Sequence, residues 1–156
     1  MNFKIVKDIG DIKGKRVLMR VDFNVPIKDG VILDDFRIRK TLPTINFLRE
    51  RGAKLFLIGH IGSDSNESMK GVAEYCKKYF SVFFAPTIND AKSMIVTDGE
   101  VVLIENLRLL SGGEENNDLK FAEELASLGD IYVNEAFSVS HRSHASVVGV
   151  SKLLPS

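Results

Sequence analysis

The chain has 156 residues, 44% of them hydrophobic, and its 21 lysines and arginines balance 21 aspartates and glutamates. This length supports one domain with a sizeable core, and the balanced charge argues against a nucleic-acid binder that relies on bulk positive charge. A single cysteine, Cys76, excludes an internal disulfide framework and a cysteine-rich metal site. The N-terminal residues lack the apolar core of a signal peptide, and no apolar run reaches the ~20 residues of a membrane span. We therefore expect a cytoplasmic protein with no membrane or nucleic-acid partner.

Five short apolar runs predict buried strands, and helical patterns separate them along the chain. The strands are expected at residues 16–20, 54–59, 81–85, 101–104 and 131–133. The helices are expected at residues 36–51, 69–80 and 88–94, and from about Phe121 to a stop at Gly129. Nearly all-apolar strands that alternate with helices are typical of a parallel sheet covered on both faces. The predicted fold is α/β, a three-layer doubly wound domain with a mostly parallel sheet.

Other segments carry local signals. Asp29-Gly30 predicts a tight turn, and either Asp34 or Asp35 is expected to cap the first helix. Residues 62–66 are typical of a loop that leads into a helix cap. Near the C-terminal end, apolar residues at 147, 148, 150, 153 and 154 form a cluster that would favour dimers if it were exposed.

Polar side chains follow the predicted strands at the point where each one ends. In open parallel sheets, ligands bind beyond the carboxyl ends of the strands. Arginine recognises carboxylate and phosphate through a planar fork of donors. The sequence therefore predicts a cradle for a small polyanion, with Asp22 and Asn24 free to hold a hydroxyl. The residues expected at this edge are Asp22, Asn24, Arg37, His60, Asn106, Arg108, Asn134, His141, Arg142 and His144.

Each of these residues also has a simpler interpretation when it is taken alone. Asp22 is equally well explained as a turn or cap carboxylate. Arg37 would most often be a solvated helix residue, and His60 could be a structural histidine. Only their coincidence at one predicted edge favours a binding site.

The sequence lacks the more specific motifs for nucleotide and metal binding. Residues 10–16 hint at a P-loop, but the spacing is one residue short, no Ser or Thr follows the lysine, and the segment precedes a strand. No G-x-G-x-x-G opens a helix. His141 and His144 lack a third ligand at the usual spacing, so we expect no metal site.

Five sequence segments, in this order, resemble the N-terminal domain of phosphoglycerate kinase. The resemblance runs from near Met1 to the end of the chain, and the combination of segments is more specific than any one of them. The segments are Arg20-Val-Asp-Phe-Asn-Val-Pro26, Arg37-Ile-Arg39 with Leu42-Pro-Thr-Ile45, His60-Ile-Gly62, Glu105-Asn-Leu-Arg108 and His141-Arg-Ser-His-Ala-Ser146.

The resemblance implies a phosphoryl transfer between 1,3-bisphosphoglycerate and ADP that gives 3-phosphoglycerate and ATP. It also implies that residues 1–156 form the N-terminal substrate-binding domain. The partners would be 3-phosphoglycerate or 1,3-bisphosphoglycerate and a C-terminal domain, absent from this chain, that binds Mg-ATP or Mg-ADP. No cofactor is then expected in this chain, and the chain alone is expected to be inactive.

The family motifs also imply roles for individual residues. Asp22 and Asn24 would hold the substrate hydroxyl, and Arg37 would be the catalytic residue that holds the carboxyl end and stabilises the transferring phosphoryl group. His60, Arg108 and Arg142 would bind the non-reacting phosphate. The complete expected substrate-binding set is Asp22, Asn24, Arg37, His60, Gly62, Ser63, Arg108 and Arg142.

The chain departs from the family pattern in two loops. Ser63 stands where the family usually has a phosphate-binding arginine, and the loss of one charge-assisted contact of ~1.5–3 kcal/mol would weaken binding ~10- to 150-fold. Glu135 and Ser138 stand where Asp and Gly are usual. Ser63 therefore leaves open a second hypothesis, a non-enzymatic module that kept the fold and an anion site. The arginines at 37, 108 and 142 favour the kinase fragment.

Overall fold

A five-stranded parallel sheet forms the centre of the computed structural model, which describes residues 5–63, 66–110 and 112–156. Its strands are β1 (Arg16–Arg20), β4 (Lys54–Ile58), β5 (Val82–Ala85), β6 (Val101–Ile104) and β7 (Ile131–Asn134). They lie in the order β5-β6-β4-β1-β7, and every adjacent pair is parallel. A separate antiparallel hairpin contains β2 (Ile27–Lys28) and β3 (Val31–Ile32).

The helices connect the strands and cover the sheet. They are α1 (Phe36–Glu50), α2 (Lys70–Cys76), α3 (Ile88–Ser93), α4 (Leu107–Leu110), α5 (Leu119–Ala126) and α6 (Val150–Leu153). Short 3-10 turns occur at Val6–Asp8 and Phe137–Val139, and a π-helical turn occurs at Ala145–Gly149. Among the described residues, no helix is long and apolar enough to cross a membrane.

Side chains that alternate along each strand give the sheet two buried faces. In β1, Val17 and Met19 belong to the core that also contains buried residues of α1 and α2. Leu18, between them, belongs to a second core formed with α3, α5 and α6. The protein therefore has a helical layer on each face of the sheet, which confirms the predicted three-layer α/β fold.

The order of the strands brings the polar segments together. After β1 the chain places β4 on one side of it, and it later returns to place β7 on the other side. In this register Arg20, the last residue of β1, lies between Ile58 and Asn134. The segments that follow β1, β4 and β7 consequently start side by side at one edge of the sheet.

Local predictions were confirmed in part. Asp29 and Gly30 both have positive φ (51° and 77°), as a two-residue hairpin turn requires. The cap is supplied by Asp34, whose Oδ1 accepts from the N–H of Phe36 at 2.8 Å, whereas Asp35 makes no cap bond. Instead, Asp35 accepts hydrogen bonds from Arg39 and from two tyrosines that follow along the chain, so it ties α1 to α2 and the turn after it.

Other details differ from the prediction. Helix α2 ends at Cys76, short of the predicted residue 80, because the N–H groups of Lys77, Lys78 and Tyr79 bond to carbonyls three residues back, as in turns, and the α-helical pattern stops. The C-terminal apolar cluster is mostly covered, because Val147 and Val150 are buried and Leu154 packs against the core. Asp64 and Ser65, in the predicted loop at 62–66, lie outside the described residues.

Candidate functional site

A fully buried arginine lies at the centre of the carboxyl edge. Arg20, at the end of β1, donates from Nη1 to the Val21 carbonyl (2.7 Å), from Nε to Ser146 Oγ (2.9 Å) and from Nη2 to His60 Nδ1 (2.9 Å). Ser146 in turn donates through Oγ to Oε1 of the buried Glu114 (2.5 Å). Burial lowers the pKa of Arg20, and the negative charge of Glu114 opposes that shift. The guanidinium is thus held by protein groups alone.

Arg20 fixes the protonation of His60. A guanidinium only donates, so Nδ1 of His60 must accept, and the neutral ring then carries its proton on Nε2. Burial, together with the positive charges of Arg20, Arg108 and Arg142, lowers the pKa of His60 to about 3. The imidazole is therefore neutral at pH 7 and presents an N–H from Nε2.

Asn24 presents a second donor beside this one. Its Oδ1 accepts from the N–H of Gly62 at 2.9 Å, which fixes the orientation of the amide. Nδ2 of Asn24 then faces Nε2 of His60 at 3.5 Å. Because both groups are donors, this contact is no hydrogen bond between them. Both N–H groups are available to an acceptor such as a phosphate or hydroxyl oxygen.

Asp22 and Arg37 form an ion pair at the rim of the site. Arg37, on the first turn of α1, donates from Nη1 to Oδ1 (2.9 Å) and Oδ2 (3.0 Å) of Asp22. Ser138, in the loop after β7, also donates to Oδ2 of Asp22 at 2.8 Å. The Arg37 side chain is 46% exposed and the Asp22 side chain 17%. An exposed pair of this kind can exchange partners when a charged ligand arrives.

Arg108 holds the loop that follows His60. Its Nη1 donates to the carbonyls of Gly62 (2.9 Å) and Ser63 (3.3 Å), and its Nε pairs with Glu115 at 3.0 Å. Nδ2 of Asn106 donates to two further carbonyls near this loop, those of residues 61 and 67. Asn106 is fully buried, so the structure gives it a scaffolding position and not the predicted place at the ligand edge.

Arg142 completes the group of cations. Its side chain is exposed and has no hydrogen bond or ion pair within the described ranges, and its positive charge contributes to the lowered pKa of His60. Direct contacts join seven of the eight predicted substrate-binding residues in two neighbouring groups, Asp22 with Arg37, and Asn24 with His60, Gly62, Ser63 and Arg108. The eighth, Arg142, acts on His60 through its charge.

For the remaining histidines and Asn134, the structure describes no side-chain contact with these eight residues. His144 is buried with Nδ1 at 3.7 Å from Glu114, and burial lowers its pKa. His141 is exposed. Asn134 accepts from the N–H of Ala136 within its own loop. In the part of the chain that the structure describes, no three His, Cys, Asp or Glu side chains are grouped so as to hold a metal ion.

Comparisons with known proteins identify the family of the chain. A sequence model of phosphoglycerate kinases matches residues 6–156. The chain belongs to the phosphoglycerate kinase family. It is 44% identical to the phosphoglycerate kinase of Borreliella afzelii, with 100% of this chain and 42% of the relative covered. It is 46% identical to the enzyme of Sinorhizobium medicae, with 99% and 41% covered.

Solved structures of the family have the same fold. The phosphoglycerate kinase of Coxiella burnetii superimposes with a TM-score of 0.83 at 34% identity, over 92% of this chain and 38% of that one. The enzyme of Pyrococcus horikoshii gives 0.80 at 31% identity, over 95% and 40%. The chain spans about two fifths of the length of the curated relatives that it matches.

Sequence reasoning missed the buried residues behind the phosphoglycerate kinase motifs. Arg20 was visible as a charged residue at the end of an otherwise apolar strand, which is a signal for a buried and partnered cation. Glu114 carried no such signal, because it lies among exposed loop residues and only the fold brings Ser146 to it.

Proposed function

We propose that this chain is the N-terminal, substrate-binding part of a phosphoglycerate kinase and binds 3-phosphoglycerate or 1,3-bisphosphoglycerate. The observation that carries the proposal is the convergence of donors around His60. Its Nε2–H and the Asn24 amide are both free to donate, and the charges of Arg108 and Arg142 act on the same ring. A phosphate group matches this set in charge and in its number of acceptors.

The non-reacting phosphate would bind on the side of His60, Arg108 and Arg142. Of the three arginines whose charges act on His60, Arg20 is buried and committed to protein acceptors, so it supports the ring from behind. The side chain of Arg142 is exposed and has no hydrogen-bond or ion-pair partner among the described residues, so it would supply a cation that is free to bind the ligand. Gly62 and Ser63 would contribute through the loop that Arg108 holds.

The glycerate end would bind on the side of Asp22, Asn24 and Arg37. Asp22 would accept a hydrogen bond from the substrate hydroxyl, and the amide nitrogen of Asn24 would donate one to it. Arg37 would leave Asp22 and bind the carboxyl end of the ligand and the transferring phosphoryl group. A loose phosphoryl transfer depends on positioning and on stabilisation of charge more than on a protein nucleophile. A site of fixed donors and one movable arginine fits that requirement.

Turnover in the whole protein would also need a Mg-nucleotide, bound by a C-terminal domain outside this chain, as well as the groups described here. We propose that this chain binds no nucleotide by itself and is inactive alone, and that the whole protein acts in the cytoplasm. Ser63 in place of the usual arginine would leave phosphate affinity ~10- to 150-fold below that of a site with the extra contact.

Calorimetric titration of the chain at low salt tests the proposal. We expect saturable binding of 3-phosphoglycerate, weaker binding of glycerate, which lacks the phosphate, and no binding of Mg-ADP. Arg142→Ala should weaken the binding of 3-phosphoglycerate about 10-fold or more and leave that of glycerate nearly unchanged. If the chain binds none of the three compounds, the substrate-binding proposal is wrong and the non-enzymatic module takes its place.

A further inference from the structure

The hydroxyl group of Ser138 contacts Asp22, the carboxylate that we propose binds the substrate hydroxyl. Ser138 lies in the 3-10 turn Phe137–Val139, 116 residues from Asp22 along the chain, and its Oγ donates to Asp22 Oδ2 at 2.8 Å. Within the described ranges, the other side chain that hydrogen-bonds to Asp22 is Arg37. A glycine, which the family pattern leads us to expect at 138, would have no hydroxyl to offer.

The acceptor positions of Asp22 are unequally filled. A carboxylate has two oxygens with two lone pairs each. Oδ2 accepts from both Arg37 and Ser138, at 3.0 and 2.8 Å, so its positions are full. Oδ1 accepts from Arg37 alone, at 2.9 Å. Oδ1 therefore has one open acceptor position in this structure. It would have two once Arg37 leaves, while Ser138 would still occupy one of the two positions on Oδ2.

The two contacts on Asp22 also differ in how firmly the fold holds them. Ser138 has a short side chain on a turn whose buried neighbour, Val139, anchors it through an N–H bond to the Ala136 carbonyl (3.2 Å). That turn follows β7, which pairs with β1 up to Arg20, two residues before Asp22. Arg37 instead reaches Asp22 through a long, exposed side chain with several rotatable bonds.

We infer that Ser138 is a positioning residue for the substrate hydroxyl: it holds Asp22 through Oδ2 when Arg37 moves onto the ligand, so that Oδ1 receives the hydroxyl. This inference rests on the proposed function, because it assumes that the ligand of this edge is a phosphorylated hydroxy acid. Ser138 would then contribute to selectivity for the hydroxyl and not to binding of the phosphate.

The test compares two ligands that differ only in that hydroxyl: 3-phosphoglycerate and 3-phosphooxypropanoate. Calorimetry gives the ratio of their dissociation constants for the unmodified chain and for Ser138→Ala, Ser138→Thr and Ser143→Ala. Ser143 is the matched control, an exposed serine nearby for which the structure describes no side-chain hydrogen bond. We expect the preference for 3-phosphoglycerate to fall about three- to tenfold in Ser138→Ala, to be retained in Ser138→Thr and to be unchanged in Ser143→Ala.

The possible failures are distinguishable. If the unmodified chain binds 3-phosphoglycerate and Ser138→Ala leaves the ratio unchanged, this inference is wrong and the proposed function stands. A variant that weakens both ligands equally also overturns the inference, because the hydroxyl of Ser138 would then serve the loop and not the selectivity. If the unmodified chain binds neither ligand, the proposed function fails and the inference fails with it.

Discussion

Arg20 and Arg37 are two arginines close to the same carboxyl edge, and their surroundings are opposite. Arg20 has 0% exposure and donates to a carbonyl, a hydroxyl and an imidazole, whereas Arg37 is 46% exposed and pairs only with Asp22 among the described side chains. A guanidinium with all its partners inside the protein can orient a neighbour but cannot meet a ligand. An exposed guanidinium with a single partner can leave that partner and bind a ligand.

The same contrast divides the site into two regions that meet at His60. We call Arg20, Glu114 and Ser146 the buried support, and Asp22, Asn24, Arg37 and Arg142 the ligand rim. Breaking a buried set of charges leaves an uncompensated charge and is strongly destabilising, while an exposed ion pair contributes only ~0–1 kcal/mol. Changes in the buried support should therefore act on folding, and changes in the ligand rim should act on binding.

The largest effect is expected from Arg20→Met. It leaves Glu114 buried without its cation, and we expect the free energy of unfolding to fall by about 3–5 kcal/mol in urea denaturation. The double variant Arg20→Met/Glu114→Gln should be less damaged than Arg20→Met alone, because it removes the unpaired charge. A loss below about 1 kcal/mol in the single variant would show that the two regions do not differ as argued.

Arg37→Ala is the corresponding change in the ligand rim. The affinity for 3-phosphoglycerate should fall about 10- to 100-fold, since a charge-assisted contact of ~1.5–3 kcal/mol is lost, with a change in unfolding free energy below about 1 kcal/mol. In a whole enzyme, turnover should fall more than stability. Arg39→Ala is the matched control, because Arg39 lies on the same helix and pairs with Asp35. An equal loss of binding in both variants would contradict the role of Arg37.

The sequence predicted the ligand rim better than the buried support, and the reason is physical. Apolar runs located the five strands, and the rule that parallel strands end at a common edge placed Asp22, His60 and Arg142 together without any contact being known. The contacts of the buried support join distant parts of the chain, such as Arg20 and Ser146, which lie 126 residues apart. No local pattern indicates that pairing, because it arises from the π-helical turn at Ala145–Gly149.

His60 belongs to both regions, and its protonation offers a third test. Its pKa is lowered to about 3 in the folded chain and is near 6.5 when unfolded. The unfolded chain therefore takes up a proton first as the pH falls, so stability is lost from about pH 6.5 downward until pH 3. After allowance for solvent screening, His60 should account for about 1–2 kcal/mol of the loss between pH 7 and pH 5.

The measurement is urea denaturation at both pH values for the unmodified chain and for His60→Gln, whose amide oxygen can still accept from Arg20. The variant should lose about 1–2 kcal/mol less between pH 7 and pH 5. Carboxylates with lowered pKa, such as Asp35 and Asp130, titrate in both proteins and cancel in the comparison. Identical pH dependence in the two proteins would mean that His60 is not held neutral by Arg20 and burial.

The smallest effect is expected from Glu115, an acidic residue of the chain that would compete with the ligand for Arg108. Glu115, with a side chain 58% exposed, pairs with Nε of Arg108 at 3.0 Å. A phosphate that approaches Arg108 must share or displace this carboxylate, and an exposed pair of this kind contributes at most ~1 kcal/mol. Glu115→Gln should therefore tighten binding of 3-phosphoglycerate about two- to fivefold at low salt, with unchanged stability.

Glu124→Gln is the control for this last change, because it removes one negative charge from an exposed position on α5. Any gain common to both variants reports the general rise in positive potential, and the difference between them reports the release of Arg108. Weaker binding in Glu115→Gln would reverse the argument. Glu115 would then hold Arg108 in the orientation that the phosphate needs, and it would belong with the buried support in function although it is exposed.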